Sequence, residues 1–254
     1  MEVHHHSSPA QGGTHTARKK WTHYFWEFLM LFLAVFCGFL AEYKLEHMIE
    51  HQREKKLVNS LVNDLKADTT RLISIINSRY IRDVQIDSMF LLINSDDILN
   101  HTKDIYFIAV TIPRNIIIQF LPNDGTIQQL KNAGGLRLIR KQWIADSIVK
   151  YDVASRSLEK FGDQEKDIVN IYRETAPEIL NALQINKMTD ESNTPVRISF
   201  NPPLETDYKQ FLNKFNYKLV SIKNINKGYR REAKKLLLQA TNLITTLKTE
   251  YHLK

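Results

Sequence analysis

The hydrophobic positions of this chain are most concentrated in one run close to its N-terminus. Residues 21–41, WTHYFWEFLMLFLAVFCGFLA, include one acidic residue and no lysine or arginine. At a rise of 1.5 Å per residue, a helix of this length covers about 31 Å, which matches the hydrocarbon core of a bilayer. Side chains that favour the membrane–water interface stand at its ends, namely Trp21, Tyr24, Trp26 and Tyr43. The pattern predicts a transmembrane helix over residues 21–41.

A cleaved signal peptide is the alternative explanation of this run. The run is longer than the apolar region of a typical signal peptide. It also lacks a cleavage site between small residues, because Phe39, Leu40 and Ala41 lead directly into Glu42. We therefore expect an anchor that stays on the mature chain.

The charges on either side of the run indicate its orientation. Residues 18–20 are Arg-Lys-Lys with no acid nearby, whereas residues 42–56 mix four basic with four acidic residues. The positive-inside rule counts mainly Lys and Arg, and by that count the second flank is not clearly poorer in basic residues. Its basic residues, however, begin further from the span. A short basic segment before a first apolar run usually stays in the cytoplasm. We expect a single-pass protein of the inner (cytoplasmic) membrane, with residues 42–254 in the periplasm.

Beyond the run, apolar residues recur at helical spacing and residues 41–112 contain neither Gly nor Pro. This pattern predicts a long helix that continues to about residue 78, and a second helix over about residues 80–94. Residues 105–120 are rich in β-branched and aromatic residues but are divided by Pro113. They fit two short strands or two buried helices, and we favour helices because their context is helical.

A short helix is predicted after residue 120. Thr126 and Gln129 have the spacing of a capping box, in which the Thr side chain caps the first turn. Gly134 and Gly135 suit the left-handed turn that closes a helix. These signals place the helix at about residues 127–133.

Apolar periodicity predicts two further long helices separated by a polar loop. They are a helix from about residue 140 to Pro177, a loop over residues 185–204, and a helix over about residues 206–250 that is interrupted near Gly228. The 254 residues contain only 8 Gly and 7 Pro, so turns are few. We expect an all-α protein, in which one N-terminal transmembrane helix continues into an antiparallel helical bundle.

Composition divides the chain into three expected regions. Residues 1–20 are polar and predict a disordered tail, residues 21–41 the transmembrane helix, and residues 42–254 one helical extracytoplasmic domain. The single cysteine, Cys37, lies in the predicted span, so no intramolecular disulfide can form. Three adjacent histidines in the tail, His4 to His6, are interpreted as incidental, because no other ligand type is spaced around them.

Three motifs follow one another in the middle of the chain. They are Phe120-x-Pro122-Asn123, then Thr126-x-x-x-Leu130, and Gly134-Gly135-Leu136-x-Leu138-Ile139. Together with Glu27 near the start of the span and the terminal LLLQATNLITTLKTEY, residues 236–251, they resemble an uncharacterised single-span membrane-protein family of Bacteroidota. The similarity covers most of the chain from about residue 24. It implies a membrane-anchored domain of unknown function, and it transfers no catalytic residue.

One motif has the residue types of a catalytic zinc site. His47-Met48-Ile49-Glu50-His51 matches H-x-x-E-H, which places two histidines on one helix face with a glutamate beside them. No third ligand follows, and the other histidines after the span, His101 and His252, accompany no nucleophile motif. The glycines form no phosphate-binding loop. We therefore expect neither an enzyme nor a bound cofactor.

Two sets of charged residues are candidate contact sites. Glu27 lies inside the apolar run, where it either sits at the interface or pairs with the membrane helix of a partner. Basic residues recur along the last helix, either as a solvated face or as a contact for anionic lipid or an acidic protein, namely Lys223, Lys227, Arg230, Arg231, Lys234 and Lys235. Because the domain is expected outside the cytoplasm, we expect no nucleic acid partner.

The preferred functional hypothesis is a non-catalytic module for protein interaction or scaffolding, bound to the lipid bilayer and to a protein partner or an identical subunit. The alternative is an extracytoplasmic helical domain that senses a ligand and acts through a separate partner. A closed pocket with converging polar groups would favour the alternative, and an exposed apolar groove would favour the preferred hypothesis.

Overall fold

The computed structural model describes residues 21–114, 119–132 and 134–253. The predicted disordered tail, residues 1–20, lies outside the described residues. The helices in chain order are α1 (Trp21–Ile93), α2 (Thr102–Arg114), α3 (Gly125–Asn132), α4 (Gln142–Thr175), α5 (Ala182–Asn186) and α6 (Tyr208–Glu250). Short 3₁₀ turns cover Ile98–His101, Gly135–Leu138 and Ala176–Glu178. The described ranges contain isolated bridges but no strand, so the predicted all-α class is confirmed.

The chain divides into two compact units, Met1–Gln52 and Arg53–Lys254. In the first unit, residues 21–52 are helical and belong to α1. Its large apolar side chains are exposed, among them those of Leu31 and Phe39. Within the part of the chain that the structure describes, α1 is the one helix long and apolar enough to cross a membrane. The candidate span thus has the open apolar surface that a lipid-facing helix requires.

The second unit is built around three helical segments that share an apolar core. The core positions recur every three or four residues, as expected for helices that bury one face. On α1 they include Val58, Leu61, Leu65, Leu72 and Ile75; on α4, Ile144, Ile148, Tyr151 and Leu158; on α6, Tyr229, Leu236, Leu243 and Leu247.

Side-chain contacts fix the directions of these segments. Contacts between α1 and α6 run in opposite senses along the two helices, namely Glu54 with Tyr251, Arg79 with Asn226, and Asn94 with Asn216. Contacts between α1 and α4 follow the same order along both helices, namely Asp68 with Tyr151 and then Arg79 with Glu165. In the second unit, α6 is therefore antiparallel to both α1 and α4, and those two are parallel.

The end of α1 differs from the sequence-based expectation. The sequence predicted a break near residue 79, but α1 continues without interruption to Ile93. Two arginines at the expected break, Arg79 and Arg82, are buried instead of forming a solvated turn. With no Gly or Pro in this stretch, nothing in the backbone ends the helix.

Residues 105–114 are helical, as favoured, but Pro113 lies inside this helix and does not divide two helices. Residues 119 and 120 are not helical, and residues 115–118 lie outside the described ranges. Pro113 lies in the last turn of α2 and has no backbone N–H to donate to the carbonyl of Ala109. The buried hydroxyl of Tyr172 on α4 donates to that carbonyl at 3.4 Å. A contact from α4 thus compensates for the proline.

The predicted capping box at the start of α3 is not formed, because the helix begins at Gly125, two residues before the predicted start, and so includes Thr126. The carbonyl of Asp124 accepts from the backbone N–H of Gln128 at 2.8 Å, and its Oδ2 accepts from Gln128 Nε2 at 2.9 Å. Thr126 is buried, and its N–H donates to Asp64 Oδ2 of α1 at 3.3 Å. Asp64 therefore binds the N–H of Thr126, which the capping box assigned to the side chain of Gln129.

Two glycines show different roles. Gly134 has a φ of +67°, which confirms the left-handed turn predicted after the short helix. Gly228 does not interrupt α6, which is continuous through it. A Cβ at Gly228 would lie 3.1 Å from Cζ of Phe161 on α4, so this glycine allows close approach of the two helices.

Candidate functional site

The main polar feature of the second unit is an ion pair network that is closed to solvent. Glu165 of α4 accepts hydrogen bonds from Arg79 Nη1 at 2.8 Å and from Arg79 Nη2 at 2.6 Å. Arg82, one turn further along α1, donates from Nη1 to Glu165 Oε1 at 2.8 Å. The relative exposures of Arg79, Arg82 and Glu165 are 1%, 0% and 0%. One carboxylate of α4 therefore holds two cations of α1.

Helix α6 completes this network through an amide and a cation. Asn226 Nδ2 donates to the carbonyl of Arg79 at 2.8 Å and to Asp83 Oδ1 at 2.7 Å. Asp83 Oδ2 lies 2.8 Å from Nη1 of Arg230, which is only partly exposed. We call the set Arg79, Arg82, Asp83, Glu165, Asn226 and Arg230 the buried ion cluster. Asp83 supplies a second negative charge, so that two carboxylates contact the three arginines of the cluster.

An aromatic side chain covers the cluster on one side. The guanidinium carbon of Arg79 lies 3.4 Å from the ring centroid of Tyr229, within cation–π range. The hydroxyl of Tyr229 accepts from the backbone N–H of Phe120 at 3.0 Å. Burial raises the pKa of Tyr229, so its hydroxyl stays protonated at neutral pH. Tyr229 therefore links the cluster to the segment before α3.

The electrostatics of the cluster favour a structural role. Burial lowers the pKa of Arg82 to about 10, and the charge of Glu165 opposes that lowering. Arg82 thus remains a cation at neutral pH. Its Nε and Nη2 are buried with no hydrogen-bond partner among the described residues. The contacts of the cluster join α1, α4 and α6 at one level of the second unit.

Two more carboxylates of α1 are buried at other levels of the second unit. Asp68 accepts from the hydroxyl of Tyr151 at 2.7 Å and from the backbone N–H of Asn123 at 2.9 Å. Glu54 accepts from the hydroxyl of Tyr251 at 2.5 Å. Burial is the largest influence on Asp68 and raises its pKa. Carboxylates of α1 therefore bind α4 and the end of α6 at separate heights.

A cavity of about 360 Å³ lies where α2 meets the end of α4. Its apolar lining includes Ala109, Val110, Leu180 and Ile185. Its polar lining includes Arg114 of α2, whose Nη2 donates to Asn193 Oδ1 at 2.8 Å. The cavity therefore combines an apolar wall with a cationic group.

Glu27, the candidate intramembrane contact, lies in the first unit on α1. Its Oε1 is 3.5 Å from Nε2 of His23, one turn earlier on the same helix. Both side chains are about half exposed, with relative exposures of 49% and 53%. Glu27 thus has a partner within its own helix and also presents an open surface.

The six candidate cations of α6 have different surroundings. Lys223 contacts Asp87 of α1, and Arg230 belongs to the buried ion cluster. Arg231 Nε and Lys235 Nζ lie 2.9 Å and 3.1 Å from Oε1 of the same carboxylate, Glu232. The remaining two, Lys227 and Lys234, are exposed. The predicted basic face is thus divided between cations that bind neighbouring carboxylates and cations that face solvent.

Among the described residues, the metal motif gains no third ligand in the fold. His47 Nδ1 lies 3.9 Å from Glu50 Oε2 on an exposed part of α1. Among residues 21–114, 119–132 and 134–253, no group of three or more His, Cys, Asp or Glu side chains could hold a metal ion. The histidines at positions 4–6 lie outside these ranges.

Sequence analysis missed the buried ion cluster, although a signal for it is present. The core-facing positions of α1 in this region are Leu72, Ile75, Arg79, Arg82, Ile86 and Met89. Their spacing of three and four residues is unbroken, and the two arginines occupy core positions in it. Charged residues in the apolar phase of a long helix indicate buried charge partners on neighbouring helices.

Comparison with protein-family models, with curated proteins and with solved structures finds no match for this chain.

Proposed function

We propose that this chain is a single-pass protein of the inner membrane whose second unit is an antiparallel helical bundle in the periplasm. The open apolar surface of residues 21–41 supports the anchor. The Arg-Lys-Lys sequence at residues 18–20 supports a cytoplasmic N-terminus. The contacts of α6 with α1 and α4 support the bundle.

Its proposed role is non-catalytic binding of a protein partner or of a second copy of the chain. The observation that carries this proposal is an apolar stripe on the outer side of α1, formed by Ile73, Tyr80, Val84 and Leu91. Their spacings of 7, 4 and 7 residues place them on one line of the helix. They are 50%, 63%, 50% and 76% exposed. An exposed apolar row along one line of a helix is typical of an interaction surface.

Charged side chains border this stripe. The guanidinium carbon of Arg230 lies 5.8 Å from the ring centroid of Tyr80. Between Val84 and Leu91, Asp87 contacts Lys223 of α6. A polar rim around an apolar centre is the usual composition of a protein interface.

A photo-crosslinking amino acid placed at position 84 in cells tests this role. We expect a discrete crosslinked product, whose mass separates a second copy of the chain from another protein. The matched control is position 238, because Leu238 is an exposed leucine on α6, outside the stripe. Equal crosslinking from positions 84 and 238, or none from position 84, would contradict the proposal.

The cavity favours a second candidate function, the sensing of a ligand by the second unit. Apolar walls with a small number of polar groups are typical of small-molecule sites. A ligand between α2 and α4 would bias the packing of these helices only if it bound their two arrangements with different affinity.

A further inference from the structure

We propose that the cavity between α2 and the end of α4 binds a small organic anion with one carboxylate and an apolar body. This inference deepens the sensing function and rests on it for its biological use. Binding itself is a separate claim, which a binding measurement tests directly.

The size and lining of the cavity define the apolar body of the ligand. At roughly 30 Å³ per water-sized group, the volume of about 360 Å³ holds about a dozen non-hydrogen atoms. Ala109 and Val110 of α2 form one wall, and Leu180 and Ile185 contribute from the segment after α4. These side chains favour an apolar chain or ring over a strongly hydrated ligand.

The guanidinium of Arg114 is the polar group that would bind the carboxylate. Its Nη2 is held by Asn193 Oδ1 at 2.8 Å, and Asn193 has a positive φ of 60°. The Arg114 side chain is partly exposed and lines the cavity. A carboxylate in the cavity would therefore accept a charge-assisted hydrogen bond from this guanidinium.

A neighbouring acid, Asp190, is bound mainly by other groups. Asp190 Oδ1 accepts from the hydroxyl of Ser192 and from the backbone N–H of Thr194, each at 2.7 Å. These two hydrogen bonds are the main causes that hold the pKa of Asp190 low, and the charge of Arg114 is the smallest contribution. The lining that the structure describes contains no Asp or Glu, and Arg173 adds a second cation. The cavity therefore favours a negatively charged ligand.

The other hydrogen-bonding groups of the lining favour a ligand whose one charged group is a carboxylate over a ligand that also carries an ammonium group. The hydroxyl of Tyr172 donates to the carbonyl of Ala109, which Pro113 leaves without its helical donor. Asn193 Oδ1 accepts from Arg114. These acceptors are already occupied and no carboxylate lines the cavity, so the lining offers little to bind an ammonium group. A monocarboxylate therefore fits better than an amino acid.

Calorimetric titration of the full chain in lipid nanodiscs tests the inference, with 3-phenylpropionate as the probe. We expect saturable binding of this carboxylate, and no saturable binding of the neutral 3-phenylpropanamide or of inorganic phosphate. Arg114→Gln should weaken carboxylate binding at least about tenfold, as expected for a charge-assisted hydrogen bond. The matched control is Arg197→Gln, because Arg197 packs over the ring of Phe107 outside the cavity; its affinity should stay within about threefold of wild type.

A second variant keeps the test decisive if Arg114→Gln fails to fold. Ala109→Leu fills the cavity without a change of charge, and we expect it to abolish binding while the helical circular dichroism is retained. Absence of saturable binding to the wild type, equal binding of the amide or of phosphate, or wild-type affinity in both variants would overturn the inference. Carboxylate binding that leaves the crosslinking pattern from position 84 unchanged would confirm the site and reject its use in sensing.

Discussion

Glu165 and Arg79 form a bidentate ion pair in the interior of the second unit. Both oxygens of Glu165 accept from Arg79, at 2.8 Å and 2.6 Å, and both side chains are closed to solvent. This pair joins α4 to α1, and Asn226 joins α6 to the same arginine. A buried charge that loses its partner is strongly destabilising, so the pair makes the register of the helices specific.

Replacement of Glu165 by Gln should destabilise the protein by about 3–5 kcal/mol, because Arg79 and Arg82 would remain buried without their shared carboxylate. Denaturant unfolding of the full chain in detergent, followed by helical circular dichroism, measures the loss. The control is Asp163→Asn on the same helix. Asp163 is exposed, and its ion pair with Lys166, at 3.0 Å, is exposed as well. Its effect should stay within about 0.5 kcal/mol. Similar losses in the two variants would contradict the structural role of the cluster.

The contribution of Asp68 to stability should fall as pH rises. Burial raises its folded pKa above the ordinary value of 3.8, so between these two values the folded state binds more protons than the unfolded state. Wild type should therefore lose stability relative to Asp68→Asn as pH rises through this window. Asp163→Asn is a control with the opposite sign. A hydrogen bond from Lys166 lowers the pKa of the exposed Asp163, so the contribution of Asp163 to stability should be lost as pH falls. A wild-type advantage over Asp68→Asn that grew with pH would contradict the assignment.

Charge reversal should separate two kinds of cation on α6. Arg230→Glu places a carboxylate against Asp83 and should destabilise the fold by a few kcal/mol, on the order expected for a broken buried pair. Lys227→Glu lies on the exposed surface, so its stability should change by less than about 0.5 kcal/mol. If the exposed cations contact anionic lipid, Lys227→Glu with Lys234→Glu should also weaken binding to anionic vesicles. Thermal unfolding and vesicle flotation measure both effects, and unchanged vesicle binding would exclude this contact.

If Glu27 pairs with another membrane helix, Glu27→Gln should lower the amount of partner that co-purifies in mild detergent without crosslinking. The partner is the protein that crosslinking from position 84 identifies. The neutral amide keeps the size of the side chain but weakens a charge-assisted contact in a low-dielectric environment. His23→Gln is the control for loss of the contact within α1, where the two side chains lie 3.5 Å apart. Unchanged co-purification of Glu27→Gln would leave Glu27 with an interfacial role only.

The helical class and most helix bounds were predictable because they follow from local patterns. The helices predicted from residue 140 to Pro177 and over residues 206–250 correspond closely to α4 and α6. The exceptions are positions where a distant residue changes the meaning of a local signal. Gly228 resembles a helix break but accommodates Phe161, and Thr126 resembles an N-cap but is bound by Asp64.

The cavity was beyond sequence analysis for the same physical reason. Its cation, Arg114, and the residue that orients it, Asn193, are 79 positions apart. No periodicity or motif joins them, since packing of α2 on the end of α4 creates the space between them. The buried ion cluster is an intermediate case: α1 alone shows that Arg79 and Arg82 occupy core positions, but only the fold identifies Glu165 as their partner.

In the proposed topology, one membrane anchor holds a helical unit outside the cytoplasm. The most direct measurement compares two fusions to the C-terminus in bacterial cells, one of alkaline phosphatase and one of a fluorescent protein that matures only in the cytoplasm. We predict phosphatase activity without fluorescence, because the basic residues 18–20 should hold the N-terminus inside. Fluorescence without phosphatase activity would place residues 42–254 in the cytoplasm and contradict the claim.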